Sequence, residues 1–365
     1  MKILAVETSC DETCAAVTEG TDILSNVVHS QIDLHKEFGG VVPSIARRAH
    51  EEKISFVIDK AVLNAQCSML NIDAVAVTQG PGLAIALEVG IRHAKEWARK
   101  LNKPLIAVNH IEGHVLSGLT PEVKFPAMAL IVSGGHTELI WVEKIGKYKI
   151  VARTMDDALG EALDKAARML GLGYPGGAEL EKRAALGNAK KYILPRPMAG
   201  REKNLEFSYS GLKTAFYRLV SAKGQVLSAK DINDLAAGFQ WRAFEHLTRI
   251  TNITLSNPPL NLRGGRQGVI HDLLVGGGVV ANQTLRNELE KLGQELEIRV
   301  WFPRKGMYGD NAAMIGIAAG FKAERGEFAD PDKVDRLPRW RIDASNLFIK
   351  KETVDGPECF ENGFC

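Results

Sequence analysis

Residues 2–18 read KILAVETSCDETCAAVT, and this stretch decides the fold that we predict for the chain. Residues 2–7 are apolar and β-prone, residues 8–14 are dense in hydroxyls and acids, and residues 15–18 resume strand character. Two strand-like runs joined by a short polar segment predict a hairpin with a polar tip. Hydroxyls and amides at such a tip can bind phosphate, and Asp11 and Glu12 could bind a metal or move a proton; a solvated turn is the alternative.

Residues 125–142, FPAMALIVSGGHTELIWV, repeat this plan of strand, turn and strand. The residues of the two turns differ, so the repeat rests on the pattern alone. A repeated unit of this kind predicts a duplicated α/β fold, with chance similarity between two hairpins as the alternative.

The remaining elements follow from the period of the apolar residues. Amphipathic patterns predict helices over residues 44–65, 84–100, 156–172 and 231–253. Buried strands are predicted at residues 73–78, 105–108 and 271–275. Strands that alternate with helices indicate parallel pairing and helix-covered sheets.

His110 and His114 directly follow the predicted strand 105–108. Side chains four residues apart lie on one face of a helix, and in open α/β sheets sites form where strands end. Neutral imidazole binds divalent metals, and the spacing suits zinc or iron. A packed or solvated pair is the alternative, because such spacings also arise by chance on helix surfaces.

Glycines 276–278 come directly after the predicted strand 271–275 and before Asn282 and a helical pattern. A strand that feeds glycines and a helix N-terminus is typical of a nucleotide site, because backbone N–H groups face the anion. The run is neither GxGxxG nor a P-loop, so neither a Rossmann dehydrogenase nor a Walker-type ATPase is supported.

Two acids remain open to more than one interpretation. Asp164 could hydrogen-bond a sugar hydroxyl, or it could pair with Lys165 or Arg168. Asp310 precedes an apolar helical run, where a helix N-cap is expected, and the functional alternative is an oxygen ligand for a metal.

Composition narrows the class of protein. The 365 residues are 45% hydrophobic and 25% charged, with a net charge of +2, which permits a nucleic-acid partner without requiring one. No apolar run reaches the length of a membrane span, and the first residues carry too many acids for a signal peptide. The five cysteines form no CxxC pair, which favours reduced thiols. We therefore expect a cytoplasmic protein.

The ordered motifs together resemble one family, the tRNA N6-adenosine threonylcarbamoyltransferases, still often labelled O-sialoglycoprotein endopeptidases. The resemblance covers residues 1–345 and rests on ETSCDET (7–13), GGVVP (39–43), QGPG (79–82), HxxxH (110–114), VSGGHT (132–137), YPGG (174–177), FSxSGLK (207–213), GGG (276–278) with Asn282, and DNAAM (310–314). It implies the actin/Hsp70/sugar-kinase (ASKHA) fold, which is two duplicated α/β lobes with an interlobe nucleotide cleft.

The resemblance also implies the roles of particular residues. His110, His114 and Asp310 would bind one divalent ion, iron in the first place and zinc as the alternative. The threonylcarbamoyl-adenylate donor would be bound by three sets of residues: the backbone of Ile131, Val132, Ser133, Gly134 and Gly135 for the phosphate, Asp164 and Gly177 for the ribose, and Asn282 near the adenosine. Three departures are Glu181, where many members have Asp, a long segment 255–268, and a long tail.

The implied activity is transfer of threonylcarbamoyl to N6 of the adenosine 3′ of the anticodon in tRNAs that read ANN codons, with release of AMP. Glu12 or Asp11 is our candidate for taking the proton from the attacking amine. We expect scattered bases to contact tRNA, among them Arg196, Arg201, Lys203 and Lys213. Implied helpers are a paralogue lacking the metal site, a small ATPase and a synthase that makes the adenylate.

We expect a first lobe over residues 1–122, completed by the helix after Asp310, a second lobe over 123–308, a helix and return segment over 309–345, and a mobile tail over 346–365. Two rival functions are a small-molecule kinase or carbamoyltransferase of the same fold and a metallopeptidase. The zincin motif H-E-x-x-H needs Glu directly after the first histidine, where this chain has Ile111. Glu112 is one residue further on, which on a helix turns its carboxylate about 100° away.

Overall fold

A computed structural model describes residues 1–224, 227–258 and 270–344, together with the backbone of a short strand at 349–351. The chain forms two compact units. Unit 1 comprises residues 1–121, 144–148 and the described residues from 304 onward, and unit 2 comprises the described residues of 122–143 and 149–303. Most of the long segment 255–268 and most of the tail lie outside the described residues.

The strands and helices are numbered separately, each in chain order. The strands are β1 (Lys2–Glu7), β2 (Glu12–Glu19), β3 (Asp22–Ser30), β4 (Ala74–Gly80), β5 (Leu105–Asn109), β6 (Ala127–Val132), β7 (Thr137–Lys144), β8 (Lys147–Thr154), β9 (Glu206–Phe207), β10 (Asp272–Gly276), β11 (Arg299–Trp301), β12 (Glu327–Ala329) and β13 (Ile349–Lys351). The helices are α1 (Ile32–His35), α2 (Pro43–Asn64), α3 (Ala84–Leu101), α4 (His110–Leu116), α5 (Leu159–Met169), α6 (Gly177–Ala184), α7 (Ser210–Ala222), α8 (Ala229–Ser256), α9 (Gln283–Leu296) and α10 (Ala312–Glu324).

The first sheet has the strand order β13-β12-β5-β4-β1-β2-β3. β1 pairs antiparallel with β2, from Lys2 opposite Glu19 to Glu7 opposite Cys14, and parallel with β4. β4 and β5 are also parallel and are joined through α3. The predicted hairpin and the predicted strand–helix–strand pattern of this half are therefore confirmed.

The second sheet has the order β11-β10-β6-β7-β8-β9. β6 pairs antiparallel with β7 and parallel with β10, and β10 pairs parallel with β11 through α9. Strand for strand, β8-β7-β6-β10-β11 repeats β3-β2-β1-β4-β5 of the first sheet. The duplication predicted from the two hairpins is confirmed.

The central strands are buried along their whole length and mostly apolar, because both of their faces are covered. β4, β5, β6 and β10 contain only buried residues. In unit 1 the core includes Leu4, Val77 and Leu105 from the sheet, with Ile58 of α2 and Leu87 of α3 packed against them. This packing places the carboxyl ends of β1, β4 and β5 at one edge of the sheet.

Two boundaries differ from the sequence prediction. The helix predicted over 156–172 is α5, which begins only at Leu159, and Asp156 instead accepts hydrogen bonds from the Ser208 hydroxyl and the Tyr209 amide. Asp310 is not the N-cap of the last long helix. Asn311 is, because its side chain accepts the Met314 N–H at 3.0 Å.

Among the described residues, no helix is both long enough and apolar enough to cross a membrane. Ile349–Lys351 pairs antiparallel with β12 as an edge strand. The rest of the predicted tail segment lies outside the described residues.

Candidate active site

The histidine pair lies at the junction of β5 and α4. Asn109 ends the strand, and its side chain accepts the amide of Ile111 at 2.9 Å, which starts the helix at His110. His110 and His114 are consequently one turn apart on one face, with ring centroids 4.7 Å apart, and both are buried. The predicted helical pair is confirmed, and neither ring is solvated.

Asp310 reaches the same point from near the end of the chain. Asn311, the next residue, supplies the side chain that caps α10, and the carboxylate of Asp310 faces the two histidines. Its Oδ1 lies 3.1 Å from Nε2 of His114 and 3.5 Å from Nε2 of His110. Metal–ligand bonds of about 2.1 Å in a tetrahedral arrangement separate donor atoms by about 3.4 Å, so these three side chains fit a single divalent ion.

A glycine allows α4 and α10 to approach this closely. A Cβ at Gly113 would lie 3.0 Å from Cδ1 of Ile315 and 3.1 Å from Cγ of Met314. Because Gly113 has no side chain, the α10 side chains can pack directly against α4. This close packing places the start of α10, and Asp310 before it, next to the two histidines.

Glu7, at the end of β1, orients His110. Its Oε2 lies 3.0 Å from Nδ1 of His110 and accepts the Thr78 hydroxyl, while Oε1 accepts the Ser9 amide. An ionised carboxylate only accepts, so Nδ1 carries the proton and Nε2 faces Asp310. Although burial alone would lower it, the charges of Asp310 and Glu7 raise the pKa of His110 to about 9.

His114 has a different environment. Burial lowers its pKa, so its ring is neutral at physiological pH. Among the described residues its Nδ1 has no hydrogen-bond partner, whereas Nε2 faces Asp310. Without a metal, Nε2 therefore donates its proton to the Asp310 carboxylate, and a bound metal ion would take the place of that proton.

The tip between β1 and β2 carries the two acids that the sequence singled out. Glu12 is half-buried near Asp310 and hydrogen-bonds Asp11. Burial and the negative charges of Asp310 and Asp11 raise the pKa of Glu12 to about 10. Glu12 is therefore protonated at physiological pH and donates the hydrogen bond that it shares with Asp11.

The corresponding turn of unit 2 is built from backbone. The Ser133 amide donates to the His136 carbonyl at 2.8 Å, and the His136 amide donates to Oγ of Ser133 at 3.0 Å. Gly134 and Gly135 are exposed, and a Cβ on either would meet nothing within 4 Å. Among the described residues their amides have no hydrogen-bond acceptor.

Two distant glycines close around this turn. A Cβ at Gly160 of α5 would lie 2.6 Å from the Ser133 carbonyl oxygen, and one at Gly277 would lie 2.3 Å from the Val132 oxygen. Gly277 also has φ of +96°, which side chains rarely adopt. The glycine run after β10 therefore packs on the turn after β6, and a 3₁₀ turn separates it from α9.

The other predicted donor-binding residues have structural contacts. Oδ1 of Asp164 accepts the amides of Gly176 and Gly177 at 2.8 and 2.9 Å, so it holds the Pro-Gly-Gly loop. Asn282 caps α9, and its amide donates to Oε1 of Gln240 at 2.9 Å. Glu181 accepts the Gln283 amide at 2.7 Å.

The predicted tRNA-contacting bases differ in availability. Arg196 pairs with Glu245 at 2.8 Å, and Lys213 pairs with Asp157 and is mostly covered. Arg201 and Lys203 are exposed.

Sequence reasoning missed Glu7 and the partners of Glu112. Glu112 is buried on α4, accepts the Tyr148 hydroxyl at 3.0 Å and lies 3.8 Å from Arg325. The sequence did contain a signal for Glu7, which is an acid at the end of an otherwise apolar strand. A buried acid of this kind needs hydrogen-bond donors around it, so it indicates a polar site.

Two solved structures share the architecture. Component A of (R)-2-hydroxyglutaryl-CoA dehydratase from Acidaminococcus fermentans matches with a TM-score of 0.50 at 14% identity, over 89% of this chain and 99% of that chain. HypF from T. kodakarensis matches with a TM-score of 0.54 at 13% identity, over 88% of this chain and 47% of that one. At such identities the likeness shows the fold alone. The class is thus a duplicated α/β protein of the actin/Hsp70/sugar-kinase fold, with a His-His-Asp group in its first unit.

The family follows from the sequence comparisons. The profile of the tRNA N6-adenosine threonylcarbamoyltransferase family matches residues 22–317. Relatives of that name are 43% identical in Syntrophotalea carbinolica, over 94% of this chain and 97% of theirs, and 44% identical in Bartonella tribocorum, over 94% and 96%. The chain belongs to this family, as the ordered motifs predicted.

Proposed function

We propose that the protein transfers threonylcarbamoyl from L-threonylcarbamoyl-adenylate to N6 of the adenosine 3′ of the anticodon in tRNAs that read ANN codons, and releases AMP. The observation that carries this proposal is the group formed by the buried His110 and His114 and the half-buried Asp310 beside an acidic hairpin tip, in a chain of this family. The donor is a mixed anhydride whose AMP leaves readily. The enzyme therefore mainly has to bind and orient the reactants.

We assign His110, His114 and Asp310 as the ligands of one divalent ion, iron in the first place and zinc as the alternative. Two imidazole nitrogens and a carboxylate suit either metal. An ion held by three side chains would polarise the carbamoyl carbonyl or orient the phosphate. Glu7 contributes by keeping a proton on Nδ1 of His110, so that the proton given up on metal binding is the one on Nε2, which faces Asp310.

Asp11 and Glu12 are assigned as the proton-accepting pair. N6 attacks the carbamoyl carbon, an N–C bond forms, the C–O bond to the phosphate breaks, and the amine proton passes to the pair. Because Glu12 is protonated, it donates the shared hydrogen bond, and the pair takes the amine proton at the carboxylate of Asp11.

Unit 2 is assigned to the donor. The open amides of Gly134 and Gly135 suit a phosphate, because glycines let an anion approach the backbone closely. The backbone of Ile131, Val132 and Ser133 leads into this turn. Asp164 and Gly177 are assigned to the ribose through the loop that Asp164 holds, and Asn282 is assigned a place near the adenosine.

Partner proteins are part of the proposal. We infer a paralogue without the metal ligands, a small ATPase and a separate adenylate synthase, on the family resemblance. A peptidase is disfavoured, because Glu112 is committed to Tyr148 and Arg325 and cannot serve as a zincin base.

The test is to incubate the protein with tRNA, threonine, bicarbonate and ATP, with and without the partner proteins, and to measure modified adenosine by mass spectrometry of the digested tRNA. D310N should lose bound metal and slow transfer by about 10³-fold, since metal polarisation contributes several kcal/mol. The matched control is D332N, at an exposed acid that pairs with Arg99.

Absence of modified adenosine in the complete reaction would refute the activity. Normal metal content in D310N would refute the ligand assignment. Phosphorylation of a small molecule or cleavage of a peptide, without modified adenosine, would favour the two rival functions.

A further inference from the structure

Beneath the acidic tip lies a buried polar cluster that the proposed chemistry does not use. Gln31, at the start of α1, His35, at its end, and His50 of α2 are each at most 1% exposed. Buried polar groups of this kind persist only when their hydrogen bonds are satisfied, so their contacts are informative.

The contacts form a continuous chain. The Val42 amide lies 3.3 Å from Nδ1 of His35, and Nε2 of His35 lies 3.3 Å from Oε1 of Gln31. Nε2 of Gln31 lies 3.1 Å from Nδ1 of His50, and Nε2 of His50 lies 3.0 Å from the Cys10 carbonyl. We call these four contacts the His35–Gln31–His50 relay.

The groups at both ends of the relay require the same direction of hydrogen-bond donation. A backbone amide can only donate, so Nδ1 of His35 accepts and its Nε2 carries the proton. A carbonyl can only accept, so Nε2 of His50 donates and its Nδ1 accepts. The Gln31 amide fits between them in one orientation, with its oxygen towards His35 and its nitrogen towards His50. Burial lowers the pKa of His50, which favours the neutral ring that this pattern requires.

The relay ends on the segment that carries the acids. His50 donates to the carbonyl of Cys10, and the backbone amide of Gln31 donates to the carbonyl of Asp11 at 3.0 Å. Thr13, on the other side of the acids, places its hydroxyl 2.8 Å from Nδ1 of His50. The segment that carries Asp11 and Glu12 is thus held from one cluster, through two backbone carbonyls before Glu12 and through the Thr13 side chain after it.

We propose that His50, oriented by Gln31 and His35, is a positioning residue that fixes the hairpin tip and thereby the carboxyl groups of Asp11 and Glu12. This inference deepens the proposed function and rests on its assignment of the two acids as the proton-accepting pair. His50 does not touch the reacting atoms; it acts through the tip.

The test compares variants of the full-length, metal-loaded protein in the transfer reaction. H50L, which removes the contacts to Gln31, Thr13 and the Cys10 carbonyl, should lower kcat by about 10²-fold, the cost of misplacing a catalytic group by about 1 Å. KM for tRNA and bound metal should stay at wild-type values. H50Q keeps a donor for the Cys10 carbonyl and should recover most of kcat. Q31M removes the Gln31 side-chain contacts to His35 and His50 but leaves the bond from His50 to the Cys10 carbonyl, so it should reproduce part of the H50L defect.

H93L is the matched control, because His93 lies on α3 among Glu51 and Glu96 and does not join the relay. Its kcat should be unchanged. The ring ¹⁵N shifts of His50 in zinc-loaded, histidine-labelled protein, assigned by comparison with H50Q, should show protonated Nε2 and unprotonated Nδ1.

A double-mutant cycle separates positioning from mere folding. In an E12Q background, H50L should cost less than about threefold, because the group that it positions is already disabled. An equal H50L cost in both backgrounds, or a proton on Nδ1 of His50, overturns the positioning role while the proposed function stands. If E12Q and D11N both transfer at the wild-type rate, the acid assignment of the proposed function fails, and the positioning role fails with it.

Discussion

The two hairpins that begin the two sheets have the same plan and opposite chemistry. In each, a buried strand pairs antiparallel with the next strand over six residue pairs and parallel with a later strand. The first tip is filled by side chains: Thr8 and Ser9 are buried, and the Ser9 amide is used by Glu7. The second tip is open, with Gly134 and Gly135 exposed.

The difference teaches that the duplicated scaffold sets where a site forms and the turn residues set what it can do. Acids and hydroxyls in the first turn give a site that acts through side chains and titrates. Glycines in the second turn give a site of backbone amides, whose charge does not change with pH. Four predictions test this division, from the largest expected effect to the smallest.

Substitutions at the first residue after each turn, Glu12 and Thr137, should have different effects: one on the transfer rate and the other on folding stability. E12Q leaves a hydrogen-bond donor beside Asp11 but removes the carboxyl group of the pair, and it should lower the transfer rate by about 10²-fold, the low end of the contribution of a general base, without loss of stability. T137V, the equivalent change in the second hairpin, removes the acceptor that Thr137 offers to the Leu159 amide at 2.8 Å. It should cost about 1–3 kcal/mol of folding free energy instead.

Transfer assays and urea unfolding of the two variants give both numbers. The division between the hairpins fails if E12Q unfolds at lower urea with an unchanged transfer rate.

Substituting a glycine that packs around the second turn should lower stability, whereas substituting a glycine within the turn should lower AMP affinity. G277A would place Cβ 2.3 Å from the Val132 oxygen at φ of +96°. It should destabilise the protein by about 3 kcal/mol through overpacking and backbone strain. G134A meets no neighbour, so it should leave stability unchanged and weaken AMP binding.

Urea unfolding and AMP titration calorimetry measure these two effects. Equal AMP affinity of G134A and wild type would argue against the second turn as the phosphate site.

Glu7 should matter for metal affinity. E7Q places an amide where Ser9 N–H and Thr78 O–H both donate, and it weakens the anchor of His110. Loss of such a supporting carboxylate lowers metal affinity by about 10–100-fold. Competition with a chelating dye measures it, with E52Q, at an exposed acid of α2, as control. Wild-type zinc affinity in E7Q would show that Glu7 does not orient His110.

The smallest effect should come from the exposed bases. The double variant R201A/K203A should weaken tRNA binding by about fivefold and lower the salt slope by about 1.5, as for two lost phosphate contacts. K213A should hardly change the slope, because Lys213 is already paired with Asp157. Filter binding at several salt concentrations checks this. A larger slope change for K213A than for the double variant would contradict it.

The local sequence was enough to predict most of the strands and helices and the order of the motifs. The apolar runs predicted the central strands, and α2, α3 and α8 agree with their predicted helices within a few residues. These features depend on periodicity and on turn residues that are close in the chain. The helix predicted from residue 156 was too long, because Asp156 found partners in Ser208 and Tyr209, which are distant in sequence.

The sequence by itself thus determined the duplicated α/β fold, the family and the histidine pair on one helix face. Only the tertiary structure decided which side chains join that pair. Asp310 or Asn311 could each have capped α10, and the fold gave the cap to Asn311 and the carboxylate to the histidines. The role of Glu7 and the His35–Gln31–His50 relay likewise could not be predicted from the sequence, because their contacts join residues from different elements. Spacing along a chain fixes neighbours on one element, whereas hydrogen bonds between elements are set by how those elements pack.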